Sequence, residues 1–403
     1  MTDRSPLRAS ECDWQIITGE YPPQRGGVSD YTHLVASRLA AAGDTVTVWC
    51  PATGPTDADT PGVQVRRELG RISALDLWRA DRRLNAAARS RRILVQWVPH
   101  AYRFRSLNLP FCLWLWKRAR HDRDTIEVMI HEPYLVFGRN WRQIAAAVMH
   151  RVMTVLLLAS AQRVWVAIPA WEAVLRPYAL GRRLTFGWLP VPSNVPVIDD
   201  PTGVEVIRAR YAPVDAFLVG HFGTFGPYAT AVLRETLPLL LRRWLGVVVL
   251  LLGSGSEQLR CRIARDHPDC GPRLHATGYL NASDLSRHLS ACHVMLQPYE
   301  DGVSTRRGSM MAVLSHGVPV VTTAGRLTES IWAQSRAVVL TPPGDRAGVI
   351  ERVGALLKDP DVRKAMTLSA RALYDARFDI RHTLDALRTT SASAGDITRA
   401  QLS

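Results

Sequence analysis

The chain has 403 residues, 47% of them hydrophobic and 21% charged, a balance that excludes disorder as the main state and suits two domains of roughly 100–200 residues each. Fifty Lys and Arg against 36 Asp and Glu give a net +14, and only Lys117, Lys358 and Lys364 are lysines, so the positive charge is almost wholly guanidinium. The excess sits in the first half, where 26 basic residues face 16 acidic ones up to Pro196, and it suits nucleic acid, an anionic membrane surface or a phosphorylated substrate without choosing among them.

In chain order, short β-branched runs alternate with longer helical patterns in two successive sets. That alternation predicts two doubly wound α/β domains with parallel sheets. The first set places strands at 14–18, 45–49, 93–97, 125–130, 163–167 and 184–189, with the clearest helices at 31–42 and 141–159. A proline-rich stretch, 190–196, then reads as a hinge. The second set places strands at 217–222, 247–252, 274–276, 294–297, 318–322 and 337–340, followed by helices at 349–357, 365–374 and 380–387. The expected domains are 1–195 and 196–378, with a C-terminal helix at about 379–390 returning to the first and a frayed tail at 391–403.

Six cysteines are sparse and none forms a C-x-x-C pair, so neither disulfides nor a zinc site is expected. Residues 1–13 mix acids and bases and do not read as a signal peptide. The apolar stretch 144–168 is interrupted by His150, Arg151, Gln162 and Arg163, and 245–252 is far shorter than the roughly 20 residues a spanning helix needs. A cytoplasmic location is therefore expected.

Four clusters carry chemistry. In the loop 19–29, Gly26 and Gly27 let backbone approach a ligand just before a helix N-terminus that offers free amides to an anion. It lacks the G-x-G-x-x-G fingerprint, which disfavours a dinucleotide cofactor. His131, in Met129-Ile-His-Glu-Pro133, ends a strand at the edge where open α/β sheets bind ligands, and His100 stands similarly after the preceding strand. Both compete with a plain loop role. In 298–321, a strand ends in a polar loop with Glu300 and Asp301, and a helix is expected to open near 304–306, where its amides with Arg306 and Arg307 would hold a diphosphate. Gly223 and Thr224, after the first strand of the second set, suit phosphate contact.

Taken in order, Gly26-Gly27, His131-Glu-Pro, the hinge, Glu300-Asp-Gly-Val and His316-Gly-Val-Pro-Val-Val resemble the retaining glycosyltransferases of family 4, from about residue 14 to about 387. The resemblance implies the GT-B architecture, two facing Rossmann-like domains with an inter-domain cleft. It also implies transfer of a hexose from a nucleotide-sugar, such as a GDP- or UDP-hexose, to a glycan or lipid-linked hydroxyl, with no metal and no further cofactor. The implied roles are catalysis for His131 and Glu300. Donor phosphate contact is implied for Gly26, Gly27, Gly223, Thr224, Arg306, Arg307 and Ser309, sugar contact for Asp301, Gly302 and Val303, and an acceptor-side position for Tyr21, His100 and Glu132.

The sequence departs from the family pattern where Gly308 replaces the second glutamate and where the loop 220–228 lacks an Arg/Lys pair. Arg306 and Arg307 are expected to take over the diphosphate charge. A binding-only protein and a sugar-nucleotide epimerase on the same fold stay open as alternatives. No nucleic-acid motif accompanies the charge. Arginines at 89–92 and 103–105, with Trp114, Trp116, Lys117 and Arg118, suit peripheral contact with an anionic leaflet on the cytoplasmic face of the inner membrane, against the plain alternative of a solvated basic surface.

Overall fold

The computed structural model describes residues 13–52, 60–87, 92–102, 106–122, 124–134, 137 and 139–389. The chain divides into one unit of Met1–Pro190 with Arg381–Ser403 and a second of Val191–Ile380. The tail 391–403 and the basic positions 89–91 and 103–105 lie outside the described residues.

Unit 1 contains β1 (Asp13–Thr18), α1 (Gly27–Ala41), β2 (Thr45–Trp49), β3 (Val63–Arg66), α2 (Ala74–Ala87), β4 (Arg92–Trp97), α3 (Leu109–Lys117), β5 (Thr125–Ile130), α4 (Trp141–Ser160), β6 (Arg163–Val166), α5 (Ala170–Leu175) and β7 (Thr185–Trp188). All strands pair in parallel, in the order β3-β2-β1-β4-β5-β6-β7. The short edge strand β3 is not among the expected elements. Guanidiniums serve this unit's interior: Arg92 stacks on Trp14 at 4.3 Å and Arg163 on Trp165 at 5.0 Å.

Unit 2 contains α6 (Pro201–Tyr211), β8 (Phe217–Phe222), α7 (Pro227–Arg243), β9 (Val247–Leu252), α8 (Ser256–Asp266), β10 (Leu274–Ala276), α9 (Ala282–Ala291), β11 (Val294–Gln297), α10 (Gly308–Ser315), β12 (Val320–Thr323), α11 (Ser330–Gln334), β13 (Val339–Thr341), α12 (Arg346–Lys358) and α13 (Pro360–Arg377). Its six strands are again parallel, in the order β10-β9-β8-β11-β12-β13. β9 reads Val-Val-Val-Leu-Leu-Leu and is buried along its whole length, as a parallel strand covered on both faces requires. β12 starts two residues later than expected, because the Val318 amide is used on Val313 O and Pro319 has none to offer.

The proline-rich stretch read as a hinge belongs to unit 2 from Val191 onward. Val191 N–H donates to Thr305 O at 2.9 Å, and Ser193 N–H to the Tyr374 hydroxyl at 3.1 Å. The last helix, α14 (Ile380–Arg388), falls with unit 1 from Arg381 on, and Arg388 Nε pairs with Asp44 Oδ2 at 3.3 Å.

Candidate functional site

In each sheet the strand order reverses at one place, between β1 and β4 in unit 1 and between β8 and β11 in unit 2. Such switch points, at the carboxyl ends of the strands, are where open α/β sheets form ligand crevices. The predicted residues sort onto these two edges.

In unit 2, β8 is followed by Gly223 and exposed Thr224, and β9 by Gly253. The two loops touch backbone to backbone, since a Cβ on Gly253 would collide with Gly223 O, and Gly253 itself has φ +112°. Gly226 precedes α7 without a side-chain cap, and since Pro227 has no N–H, the amides left to an anion in the first turn are those of Tyr228 and Ala229.

After β11, Glu300 stands exposed and Gly302 turns the chain at φ +86°. A Cβ on Gly302 would collide with Thr328 Oγ1 and Gly325 N, and one on Gly325 would lie 2.5 Å from the Asp301 carbonyl. The loops after β11 and β12 therefore form one rigid cradle. Gly302→Ala should cost about 1–3 kcal/mol of unit 2 stability through left-handed strain and collision. Gly344→Ala, at φ +80° with open space around it, should cost less; equal melting temperatures for the two variants would contradict the cradle.

The expected helix start at 304–306 is corrected: α10 opens at Gly308 with Arg307 as its N-cap residue. Thr305, which looks like a cap, gives both its amide (3.0 Å) and its hydroxyl (2.6 Å) to Glu329 Oε1, while Trp332 Nε1 donates to Glu329 Oε2 at 2.7 Å. Burial pushes the Glu329 carboxyl up. Arg306 and Arg307 thus sit on the loop just before the helix. Arg307 stacks 5.0 Å over the Tyr299 ring, and Arg306 approaches Asp301 at 3.5 Å. Ser309 Oγ meets the Tyr299 hydroxyl at 2.9 Å, and Asp301 also takes Arg326 at 2.8 Å. The Asp301 carboxylate is therefore largely occupied by guanidiniums, and Val303 is fully buried, which leaves only its backbone for sugar contact.

In unit 1, a Cβ on Gly19 would collide with Ala101 O, so the loops after β1 and β4 are in backbone contact. Gly26 leaves room for the Glu20 carboxylate, whose Oε2 would lie 2.6 Å from a Cβ there, and Gly27 faces open space. Glu20, which the motif reading did not single out, is pushed up by burial while His100 pulls it down. His100 Nε2 meets Glu132 Oε2 at 3.1 Å across the ends of β4 and β5, both half-exposed. Tyr21, expected on the acceptor side, is instead buried, its hydroxyl 3.2 Å from Thr60 Oγ1.

His131 is held from three sides. Its Nε2 lies 2.9 Å from Gln96 Oε1 on β4, its ring meets Tyr31 of α1 edge-on at 4.8 Å, and its carbonyl accepts from Trp171 Nε1 of α5 at 3.1 Å. Burial pushes its pKa down to about 3, so the ring is neutral at physiological pH, with Nε2–H donating to Gln96 and Nδ1 left as an acceptor.

In unit 2, burial pushes His221 down to about 4, with Nδ1 bonded to Leu296 O at 2.8 Å. An unfolded chain binds protons at these rings near pH 6.5 while the native one does not. Stability present above pH 6.5 is therefore lost as pH falls toward the native values. At pH 5 each ring accounts for about 2 kcal/mol, and the raised carboxyls of Glu20 and Glu329 act in the opposite sense. Since each unit carries at least one such histidine, with His293 of unit 2 also pushed down to about 4 by burial, calorimetry should show every unfolding transition at lower temperature at pH 5 than at pH 7.5; unchanged transitions would contradict the neutral assignment.

The cations read as solvent-facing are partly inward. Arg118 is fully buried, donating to Asp81 at 2.6 Å and Asp124 at 2.7 Å, and Trp114 donates to Asp81 at 2.9 Å. Lys117 and Arg120 remain exposed.

Residues 216–359 match the family Glycosyl transferases group 1. Solved structures with the same fold include sucrose-phosphate synthase from Thermosynechococcus elongatus (TM-score 0.70, 19% identity, 92% of this chain and 96% of that one). HepE of Anabaena, solved with UDP and glucose, gives TM-score 0.68 at 16% identity over 92% and 97% of the chains. A UDP-forming α,α-trehalose-phosphate synthase from Burkholderia xenovorans, in complex with glucose-6-phosphate, gives TM-score 0.61 at 14% identity over 89% and 96%. No curated protein matches the chain. The fold is GT-B. Within it, residues 216–359 carry the glycosyltransferase group 1 domain.

Proposed function

We propose that this protein moves a hexosyl group from a nucleoside-diphosphate sugar to a hydroxyl acceptor, a glycan or lipid-linked sugar, with retention of the anomeric configuration. The observation that carries the reading is the convergence at one sheet edge of unit 2: the Gly223 turn, the uncapped start of α7, the start of α10 and the Arg306–Arg307 pair. Backbone amides and guanidiniums together suit a diphosphate.

As the bond from the sugar's anomeric carbon to the diphosphate oxygen breaks, these groups take the developing charge. The acceptor oxygen forms the new bond to that carbon and releases its proton to a departing phosphate oxygen or to water. Glu300 holds sugar hydroxyls, and neutral His131 accepts a hydrogen bond from a sugar hydroxyl at Nδ1, with no proton transferred to the ring. Glu20, His100 and Glu132 provide polar groups on the acceptor side. Glu329 does not stand in for the glutamate missing at Gly308, because its oxygens are already taken by Thr305 and Trp332. The UDP and glucose held by HepE and the glucose-6-phosphate held by the trehalose-phosphate synthase support a nucleotide-sugar donor and a carbohydrate acceptor here.

A thermal-shift screen against UDP-, GDP-, ADP- and dTDP-sugars tests the donor. One nucleotide should stabilise the protein, by about 2.7 kcal/mol at a hundredfold excess over Kd. No shift with any of them would overturn the reading.

A further inference from the structure

Among the described residues, α4 is the one helix long and apolar enough to cross a bilayer. It does not do so, because Ala147, His150, Met153, Leu157 and Leu158 turn one face into unit 1. The opposite face is apolar as well. At 100° per residue, Trp141, Ile144, Val148 and Val152 fall within an arc of about 80°, and they are 72%, 44%, 49% and 45% exposed. Phe137, just before the helix, is 56% exposed and lies under Arg151 at 3.8 Å.

A surface helix normally turns polar residues to water, so an apolar outward stripe implies a cover. Charge says what covers it. Arg142 and Arg151 edge the stripe on its two sides, at about 80–100° from Trp141. From Pro133 through Trp171 the sequence has four arginines and no acid. Even the capping box at the helix start is neutral, Asn140 with Gln143, where Asp or Glu is common.

We propose that this face of α4 docks the protein on an anionic lipid surface. The helix lies in the plane of the interface, with Trp141, Val148 and Val152 at the acyl boundary and the arginines at headgroup phosphates. A second copy of the chain fits less well, since two-fold pairing of the stripe would bring arginine edges against arginine edges. The inference stands apart from the donor reading, which concerns unit 2.

The test is flotation of the full chain with phosphatidylcholine vesicles, with and without about one third phosphatidylglycerol. The protein should float with the anionic vesicles at low salt and less at high salt. Val148→Asp with Val152→Asp should cut partitioning at least about tenfold, and Trp141→Gln should also reduce it. Circular dichroism and melting temperature should stay at wild-type values, because these positions are exposed. Failure of the wild type to bind anionic vesicles, or equal flotation of the aspartate variant, would overturn the proposal. A dimer by light scattering that the aspartate variant dissociates, without vesicle binding, would overturn it in favour of an interface between copies.

Discussion

Replacing Arg306 and Arg307 together by alanine should weaken binding of the cognate nucleoside diphosphate by about 10²–10⁴-fold, as two charged hydrogen bonds of about 1.5–3 kcal/mol each are removed. Both side chains belong to the loop before α10, and neither carries the core of unit 2. Arg307 rests on the Tyr299 ring, which pre-orients its planar fork, so less freedom is lost on binding. The double variant should therefore fold normally and fail in calorimetric titration with the diphosphate. Lysine at both positions should restore only part of the affinity, since an ammonium keeps the charge and loses the bidentate geometry. Unchanged affinity in the alanine variant would move the diphosphate away from this loop.

His131→Ala should reduce turnover by about 10²–10³-fold while leaving donor affinity within a few-fold, the signature of a contact strongest in the transition state. The ring is held by Gln96, Tyr31 and Trp171, so its position is set before substrate arrives. With a pKa of about 3 it does not titrate between pH 6 and 8, and no inflection in that range should be lost in the variant. Turnover equal to wild type would reduce His131 to a loop support.

Much of the architecture was legible because parallel strands announce themselves as buried β-branched runs. The expected strand at 247–252 coincides with β9, and 217–222 with β8. β3 escaped because it is four residues long, at a sheet edge and only partly buried, so it carries no apolar run. The start of α10 was misplaced for a different reason. Thr305 has the local chemistry of a cap, but Glu329, 24 residues later, claims its amide and hydroxyl. A contact at that separation leaves no trace in a local pattern.

The candidate site residues were read from motif and position, and burial changes the meaning of several. Tyr21 and Arg118 are polar-tipped side chains that a sequence places at the surface and the fold turns inward, where Thr60, Asp81 and Asp124 satisfy them. Glu20 carries no motif of its own and gains interest only because the fold sets it beside Gly26 and His100. In the basic first half, the sequence placed the expected membrane contact at 89–92, 103–105 and 114–118, whereas the docking proposed above rests on the exposed face of α4, outside those segments.

Real-time proton NMR of the protein with the nucleotide-sugar that stabilises it tests the central claim most directly. The account predicts slow release of nucleoside diphosphate and a sugar, or glycosylated acceptor, whose first-formed anomer matches that of the donor. A donor that binds but is never cleaved, or a product that first appears with the opposite anomeric configuration, would contradict it.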